Sequence, residues 1–227
     1  MSDGSSPLTL RPDAARIAGV HVLADDDPRW KWDPTEQARA ACEGGAAVVQ
    51  LRAKHATDPI ALEHAQAIRE ITSRTGTLFF VNDRFDLALA ADADGVHLGQ
   101  DDLPPARLPD AARRRLLVGF STHTTRQARD AALQPIDYVA FGPVFRTASK
   151  ASEYDARGLE ALTDVVAMTG AKPVVAIGGI SVSNAALVRD AGAAAVAVIS
   201  AVAAEDDPVA ATRALVRAFA VPGSPAA

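Results

Sequence analysis

Two aspartates are the strongest sign of chemistry in this sequence. Asp83 follows the apolar run LFFV and Asn82, and Asp102 follows the run GVHL by a few residues. Each aspartate stands just before a segment of helical periodicity, so each can be interpreted as a helix cap. If the two runs are neighbouring parallel strands, however, the carboxylates lie close enough to share one cation. Mg²⁺ prefers one or two carboxylates completed by water and phosphate oxygens, so the pair predicts a Mg²⁺ site.

Basic side chains form the second group. Gln50, Arg52 and Lys54 alternate in the segment QLRAK, so the two-residue period of a strand directs all three to one side. Two cations directed into one cleft repel each other unless an anion lies between them, which favours a diphosphate ligand. The alternative is that Arg52 and Lys54 extend outward into water. Asn82 can add a neutral hydrogen bond, and Lys150 adds a cation from a distant segment.

A glycine pair, Gly178 and Gly179 in the segment IGGI, is the third feature. Glycines at the start of a helix expose backbone N–H groups that bind phosphate, and barrel enzymes often hold a monophosphate after their last two strands. The alternative is that the pair only permits close packing of two segments. We therefore expect two anion sites, one for a diphosphate with its metal and one for a monophosphate.

The elements that must position these residues alternate along the chain from residue 20 onward. Short runs rich in Val, Ile, Leu and Ala alternate with segments of helical periodicity. The predicted strands span residues 20–24, 46–51, 78–81, 95–98, 116–120, 138–141, 174–177 and 195–199. The predicted helices span residues 34–43, 59–74, 85–91, 104–113, 125–133, 158–168, 184–191 and 208–219. Eight such units without a composition break predict an α/β fold, a (β/α)8 TIM barrel.

An open, doubly wound sheet is the competing architecture. It would usually carry a glycine-rich dinucleotide-binding segment after its first strand, whereas that position reads ADDDPRWKW. In a barrel the chemistry belongs at the C-terminal ends of the strands, where the polar residues above fall. We expect a single barrel domain over residues 19–221, with disordered or extended tails at residues 1–18 and 222–227.

Composition limits the classes of function. The chain has 227 residues, a net charge of -5 at pH 7 and 48% hydrophobic residues. The negative charge disfavours nonspecific binding to nucleic acid or anionic lipid, so small molecules are the expected partners. No apolar segment has the length of a signal-peptide core or a membrane span, and the single cysteine, Cys42, excludes an intrachain disulfide. A cytoplasmic protein is expected, and a homo-oligomer is left open.

Other polar residues near the strand ends are given structural interpretations. His97, within the fourth predicted strand, is expected to be a hydrogen-bonded interior histidine, and His123 a capping or filling residue. The three aspartates at positions 25–27 are expected to be solvated, and Trp30 and Trp32 to pack within their loop.

Six motifs in this order resemble the thiamine-phosphate synthase family: QLRAK, VNDR, GVHLGQDD, GFSTHT, FGPVFRTASK, and AIGGI followed by VIS. They extend over nearly the whole chain from Val20 to Ser200. The resemblance implies a transferase that joins 4-amino-5-hydroxymethyl-2-methylpyrimidine diphosphate to hydroxyethylthiazole phosphate, giving thiamine phosphate and pyrophosphate. It implies Mg²⁺ as cofactor and a dissociative mechanism, in which pyrophosphate leaves before the thiazole nitrogen attacks.

The resemblance also implies roles for individual residues. Asp83 and Asp102 would hold Mg²⁺. Arg52, Lys54 and Lys150 would be catalytic, because they would stabilise charge on the departing diphosphate. The residues implied for the pyrimidine diphosphate are Gln50, Arg52, Lys54, Asn82, Ser121 and Lys150. The residues implied for the thiazole phosphate are Thr147, Ser149, Gly179, Ile199 and Ser200.

Two other functions are weighed against this one. A related thiazole tautomerase has the same barrel but needs neither metal nor diphosphate, and a non-catalytic barrel would only bind a phosphorylated ligand. The presence of Asp83 and Asp102 together with Arg52 and Lys54 argues against both alternatives.

Overall fold

The computed structural model describes residues 11–147 and 154–220. Its strands, β1 to β8 in chain order, span Gly19–Asp25, Val48–Arg52, Leu78–Asn82, Gly95–Leu98, Leu117–Thr122, Tyr138–Phe141, Val174–Ile177 and Ala195–Val198. Neighbouring strands are parallel, and β8 pairs with β1, so the sheet closes into a barrel. The predicted (β/α)8 fold is confirmed.

Helices connect consecutive strands on the outside of the barrel. The described residues contain the α-helices α1 to α9, at Pro34–Glu43, Asp58–Thr75, Phe85–Ala90, Asp110–Arg115, Thr125–Ala132, Gly158–Met168, Ala185–Asp190, Ser200–Ala203 and Pro208–Phe219. Prolines open three of these helices, where their missing N–H costs nothing. No helix in this part of the chain is long and apolar enough to cross a membrane.

The helix predicted at residues 104–113 is wrong. A 3₁₀-helix spans Pro105–Arg107, and α4 begins only at Asp110. Pro109 separates the two, because a residue before proline avoids the helical region, and Leu108 has an extended ψ of 139°. The connection between β4 and α4 is therefore long, and it holds Asp102 at the mouth of the barrel.

The segment before β1 is ordered from residue 11, although the sequence predicts a disordered or extended tail to residue 18. A 3₁₀-helix spans Ala14–Ile17, and the Asp13 carboxylate caps it by accepting a hydrogen bond from the Ala15 N–H at 2.9 Å. Ile17 is fully buried in a cluster with Val48 and Leu78, the first residues of β2 and β3. Burying one such side chain contributes about 1.5–3 kcal/mol, which favours order here.

The period of two along each strand separates an interior layer from a layer facing the helices. Interior side chains such as Val48 and Leu117 form one cluster, and Val49 and Val118 belong to the other. Toward the C-terminal ends the interior positions become polar, with Gln50 following Val48 on the same side. The barrel is therefore packed at its N-terminal end and open to polar groups at its mouth.

Candidate active site

A cavity of about 100 Å³ opens at the C-terminal ends of the strands. Leu23, Tyr138 and Val175 contribute to its apolar wall. The residues lining it include the sequence-predicted Gln50, Ser121, Thr147, Gly179, Ile199 and Ser200. An apolar pocket with a few convergent polar groups is the usual form of a small-molecule site. The structure thus brings half of the two predicted substrate-binding sets together in one cavity.

A cluster of five charged side chains, the rim cluster, lies at or just after the ends of β1 to β4, and none of its members is among the residues that line this cavity. It comprises Asp25, Arg52, Lys54, Asp83 and Asp102. Arg52 Nη1 lies 2.8 Å from the Asp25 carboxylate, and Lys54 Nζ forms an ion pair with Asp83. The sequence argument that the two cations require a bound anion between them therefore does not hold, because each has a carboxylate partner within the protein.

Asp25 is the site residue that sequence reasoning missed. It was expected to be solvated, but it is 1% exposed. Its carboxylate accepts hydrogen bonds from Arg52 Nη1 and, at 3.1 Å, from Trp30 Nε1. Gln37 also bonds both the N–H and the C=O of Asp25, which fixes the backbone at the end of β1. The available signal was position, since Asp25 is the last residue of a barrel strand.

Neither Asp83 nor Asp102 caps a helix. The position before α3 is occupied by Arg84, and the Asp102 Oδ2 accepts the Gly99 N–H at 2.6 Å, within its own turn. Asp83 has a positive φ of 65°, a conformation that costs free energy in a non-glycine residue and is concentrated at functional sites. Its N–H donates to His97 O on β4 at 2.7 Å, which ties the two strand ends together.

The side chains of Asp83 and Asp102 lie in contact. Burial, and then the neighbouring Asp83, raises the pKa of the Asp102 carboxyl above its ordinary value. Lys54 supplies one positive charge beside two carboxylates, so the pair has the composition of a divalent-cation site. Within the described ranges no group of three or more His, Cys, Asp or Glu residues could hold a metal ion. Two carboxylates, completed by water and phosphate oxygens, fit the donor set of Mg²⁺.

Two buried polar atoms near the mouth have no hydrogen-bond partner in the described part of the chain. They are Gln50 Oε1 and Arg52 Nε. Leaving such a group unpaired costs about 1–3 kcal/mol, and more for a charged group. Arg52 therefore uses Nη1 to bind Asp25, whereas none of the described residues accepts a hydrogen bond from its Nε–H.

The glycine pair does not start a helix, contrary to the prediction. Helix α7 begins at Ala185, so Gly178 and Gly179 do not start it. A Cβ on Gly179 would lie 2.4 Å from Arg146 O and 2.8 Å from Phe145 Cβ. Close packing against the segment after β6, the alternative interpretation, is what the structure shows, and Gly179 still lines the cavity beside Ile199 and Ser200.

The two histidines at the mouth have different partners. His97 is buried and hydrogen-bonded through both ring nitrogens, as predicted, to Tyr138 Oη and Ser121 Oγ. His123 Nδ1 lies 2.8 Å from Gly142 O, and its ring stacks on Tyr154 with centroids 4.2 Å apart. Trp30 packs against the interior core instead of only within its loop, and Trp32 Nε1 donates to Glu205 O at 3.0 Å.

Besides the members of the rim cluster, one predicted residue is described but does not line the cavity, and two lie outside the described residues. Asn82 ends β3, opposite His97 in the sheet register, and is not among the residues that line the cavity. Ser149 and Lys150 lie outside the described residues.

Fold and site together define a class of protein: a (β/α)8 barrel with a small-molecule cavity and a cluster of charged side chains at its mouth. The sequence profile of the family described as thiamine monophosphate synthase matches residues 20–202. The chain belongs to this family.

Individual relatives agree with the profile. A thiamine-phosphate synthase of Anaeromyxobacter dehalogenans is 45% identical over 90% of this chain and 89% of its own length. A thiamine-phosphate synthase of Methanoculleus marisnigri is 48% identical over 86% of this chain and 92% of its own. The solved structure of a thiamine phosphate pyrophosphorylase from Pyrococcus furiosus superposes with a TM-score of 0.80 and 36% identity, covering 91% of this chain and 96% of that one. The family and transferase class indicated by the six motifs are confirmed.

Proposed function

We propose that this chain condenses 4-amino-5-hydroxymethyl-2-methylpyrimidine diphosphate with hydroxyethylthiazole phosphate to give thiamine phosphate and pyrophosphate. The observation that carries the proposal is the contact of Asp83 with Asp102 beside Lys54 and Arg52, at the edge of an apolar cavity. A substrate that joins an aromatic ring to a charged diphosphate needs an apolar cavity and a cluster of charged groups next to each other. The apolar cavity is lined by Gln50, and Arg52 of the rim cluster follows two residues later on the same strand.

The residue roles that we propose are those that the family resemblance implies. The pyrimidine diphosphate is assigned to the side of β2, β3 and β5, with Gln50, Arg52, Lys54, Asn82, Ser121 and Lys150. The thiazole phosphate is assigned to the opposite wall, with Thr147, Ser149, Gly179, Ile199 and Ser200. The support is that Gln50 and Ser121, on β2 and β5, line the cavity, as do Thr147, Gly179, Ile199 and Ser200, which follow β6, β7 and β8.

Asp83 and Asp102 are proposed to hold Mg²⁺. When bound there, the ion would supply positive charge to the diphosphate oxygens. The two carboxylates in contact, with one lysine beside them, support this assignment because a carboxylate pair is stabilised by a divalent cation.

The proposed chemistry needs no protein nucleophile. The bond from the pyrimidine methylene carbon to the diphosphate oxygen breaks, and its electron pair leaves with pyrophosphate. The lone pair of the thiazole nitrogen then forms the new C–N bond to the resulting cation. The protein's task is to stabilise negative charge on the leaving group, which Arg52, Lys54 and Lys150 can do as preorganised donors.

A second function, isomerisation of a thiazole by a tautomerase, would not use the rim cluster. The proposal also includes small molecules as partners, no nucleic acid, a possible homo-oligomer and a cytoplasmic location. Its basis is the net charge of -5 and the family's biosynthetic role.

The test incubates the purified protein with both phosphorylated substrates and Mg²⁺ and measures thiamine phosphate. We expect product with Mg²⁺, none after chelation, and a loss of roughly 10²- to 10³-fold in Asp83→Asn, by analogy with other electrostatic groups. Asp101→Asn is the matched control, because Asp101 is an exposed neighbour of Asp102. Mn²⁺ titration followed by electron paramagnetic resonance, with pyrophosphate present, should show weaker binding in Asp83→Asn only.

Three results would count against parts of the proposal. Turnover that persists with a chelator would overturn the metal assignment. Conversion of a thiazole phosphate without the pyrimidine substrate would favour the tautomerase. Binding of both substrates without any product would favour a non-catalytic barrel.

A further inference from the structure

A chain of hydrogen bonds links three interior residues and ends at the cavity. Tyr138 Oη lies 2.8 Å from His97 Nδ1, and His97 Nε2 lies 2.7 Å from Ser121 Oγ. All three residues line the cavity. Ser121 is the member assigned above to the pyrimidine diphosphate, whereas the reaction as described gives Tyr138 and His97 no role.

The sheet register builds this chain. His97 on β4 pairs with Gly119 on β5, and Gly119 pairs with Tyr138 on β6. A Cβ on Gly119 would lie 2.3 Å from Tyr138 Oη, so only glycine lets the phenol cross β5 and reach His97. Ser121 is two residues beyond Gly119, and the period of a strand places it on the same side. The contacts therefore follow from three strands in one register.

The hydrogen-bonding capacity of these groups fixes the direction of each proton. In the described part of the chain, Tyr138 Oη forms its hydrogen bond with His97 Nδ1. Burial raises the pKa of the Tyr138 hydroxyl well above its ordinary value, so the group keeps its proton. Leaving that buried O–H without an acceptor would cost about 1–3 kcal/mol, so it donates to Nδ1.

The remaining protons follow from the chemistry of imidazole. A neutral imidazole with an accepting Nδ1 carries its hydrogen on Nε2. That N–H donates to Ser121 Oγ at 2.7 Å. The Ser121 oxygen is then an acceptor toward His97, and its own O–H is left to donate elsewhere. With the other tautomer, Ser121 would donate to His97 and present only lone pairs to a ligand.

We propose that Tyr138 is a positioning residue: through His97 it holds Ser121 as a hydrogen-bond donor aimed at an oxygen of the diphosphate substrate. Diphosphate oxygens are acceptors, so a serine that presents lone pairs would repel the ligand, while one that presents O–H would bind it. The inference rests on the proposed function at one point, the assignment of Ser121 to the diphosphate.

The first test does not depend on activity. The chain has five histidines, and ¹⁵N-correlated NMR of the ¹⁵N-labelled, ligand-free protein distinguishes protonated from unprotonated ring nitrogens. His97 is assigned by comparison with His97→Asn. We expect a single neutral tautomer with the proton on Nε2 and none on Nδ1. A proton on Nδ1, alone or together with one on Nε2, overturns the proposal.

The second test is a kinetic cycle with Tyr138→Phe, which removes the hydroxyl and keeps the ring. We expect kcat/KM for the pyrimidine diphosphate to fall roughly 3- to 10-fold, the equivalent of one hydrogen bond, with KM for the thiazole phosphate unchanged. In a Ser121→Ala background the same substitution should have no further effect. Equal losses in both backgrounds overturn the proposal, because Tyr138 would then act without Ser121.

A matched control separates position from fold stability. Thr122 is buried on the same strand as Ser121 and does not line the cavity, and its hydroxyl donates to Ala140 O at 2.8 Å. Thr122→Val should lower stability and leave both the His97 tautomer and the kinetics unchanged. If the wild-type protein forms no thiamine phosphate while NMR shows the Nε2–H tautomer, the proposed function fails and the Tyr138–His97 arrangement stands.

Discussion

Replacement of Asp25 by Asn tests whether the buried end of the rim cluster holds Arg52 in place. The Asp25 side chain is fully buried, and that of Arg52 is 16% exposed. Asparagine has the same shape but only one acceptor oxygen, so it can still accept the Trp30 N–H only by turning its NH2 group toward Arg52. The substitution therefore removes both the negative charge that compensates the guanidinium and one of the two hydrogen bonds.

The expected cost follows from this burial. Removing one partner of a buried ion pair destabilises by about 3–5 kcal/mol, because the other charge remains buried. Arg52 keeps some contact with solvent and Asn keeps a neutral hydrogen bond, so we expect about 3 kcal/mol. A loss of that size lowers the melting temperature of a protein of this length by roughly 6–12 °C.

Urea unfolding followed by tryptophan fluorescence provides the measurement. Asp27→Asn is the control, since Asp27 pairs with Arg29 at the surface and should change the midpoint little. Arg52→Met should also destabilise, because it leaves the Asp25 carboxylate buried without its cation. The Asp25→Asn and Arg52→Met double variant should recover about 2 kcal/mol relative to additivity. Strictly additive losses, or an unchanged midpoint in Asp25→Asn, would refute the claim that the pair is coupled in the interior.

Two further predictions concern the barrel interior. Burial lowers the pKa of His21 to about 4, so as the pH falls the unfolded chain binds a proton at this histidine before the folded protein does. The contribution of His21 to stability should therefore be constant above pH 6.5 and fall by up to about 3 kcal/mol toward pH 4. Urea midpoints at pH 7 and pH 5 should differ less in His21→Phe, and an equal difference would exclude His21 as the cause. In Gly119→Ala the new Cβ would lie 2.1 Å from Tyr138 Cζ, so the free energy of unfolding should fall by about 1–3 kcal/mol. Adding Tyr138→Leu should restore part of the lost free energy of unfolding. A Gly119→Ala protein as stable as wild type would contradict the claim that the Tyr138 side chain crosses β5 at Gly119.

The sequence predicts the fold well because the barrel repeats one simple pattern. Buried parallel strands appear as short aliphatic runs, and glycine and proline mark where the helices end and begin. The prediction at residues 104–113 is wrong because helical periodicity was given more weight than Pro109. The ordered segment at Ala14–Ile17 was missed because its stability comes from packing Ile17 under the barrel, which local propensity does not reveal.

The site was predictable where position along a strand was enough. Period-two spacing places Gln50 on the interior side, and neighbouring strands bring Asp83 to Asp102. The partners of these residues were not predictable, because they depend on which side chains meet across the mouth. Asp25 was taken as solvated, although its carboxylate is buried against Arg52. The Tyr138 contact with His97 requires the register of three strands, which no local pattern specifies.

Arg52 and Lys54 differ in how firmly each is held by its aspartate in the rim cluster, and this difference suggests different roles for the two cations. Asp25 is fully buried, so Arg52 Nη1 stays bound to it. A guanidinium has several N–H donors in a fixed arrangement, so Arg52 can still donate from Nε to a ligand. A lysine at position 52 would commit its one ammonium to Asp25. Lys54 pairs with Asp83, which is 20% exposed, so this pair is accessible to the solvent and to a ligand at the mouth. Under the proposed function, Arg52 would be the fixed contact of the diphosphate, and Lys54 would be the cation that the bound diphosphate draws away from its carboxylate.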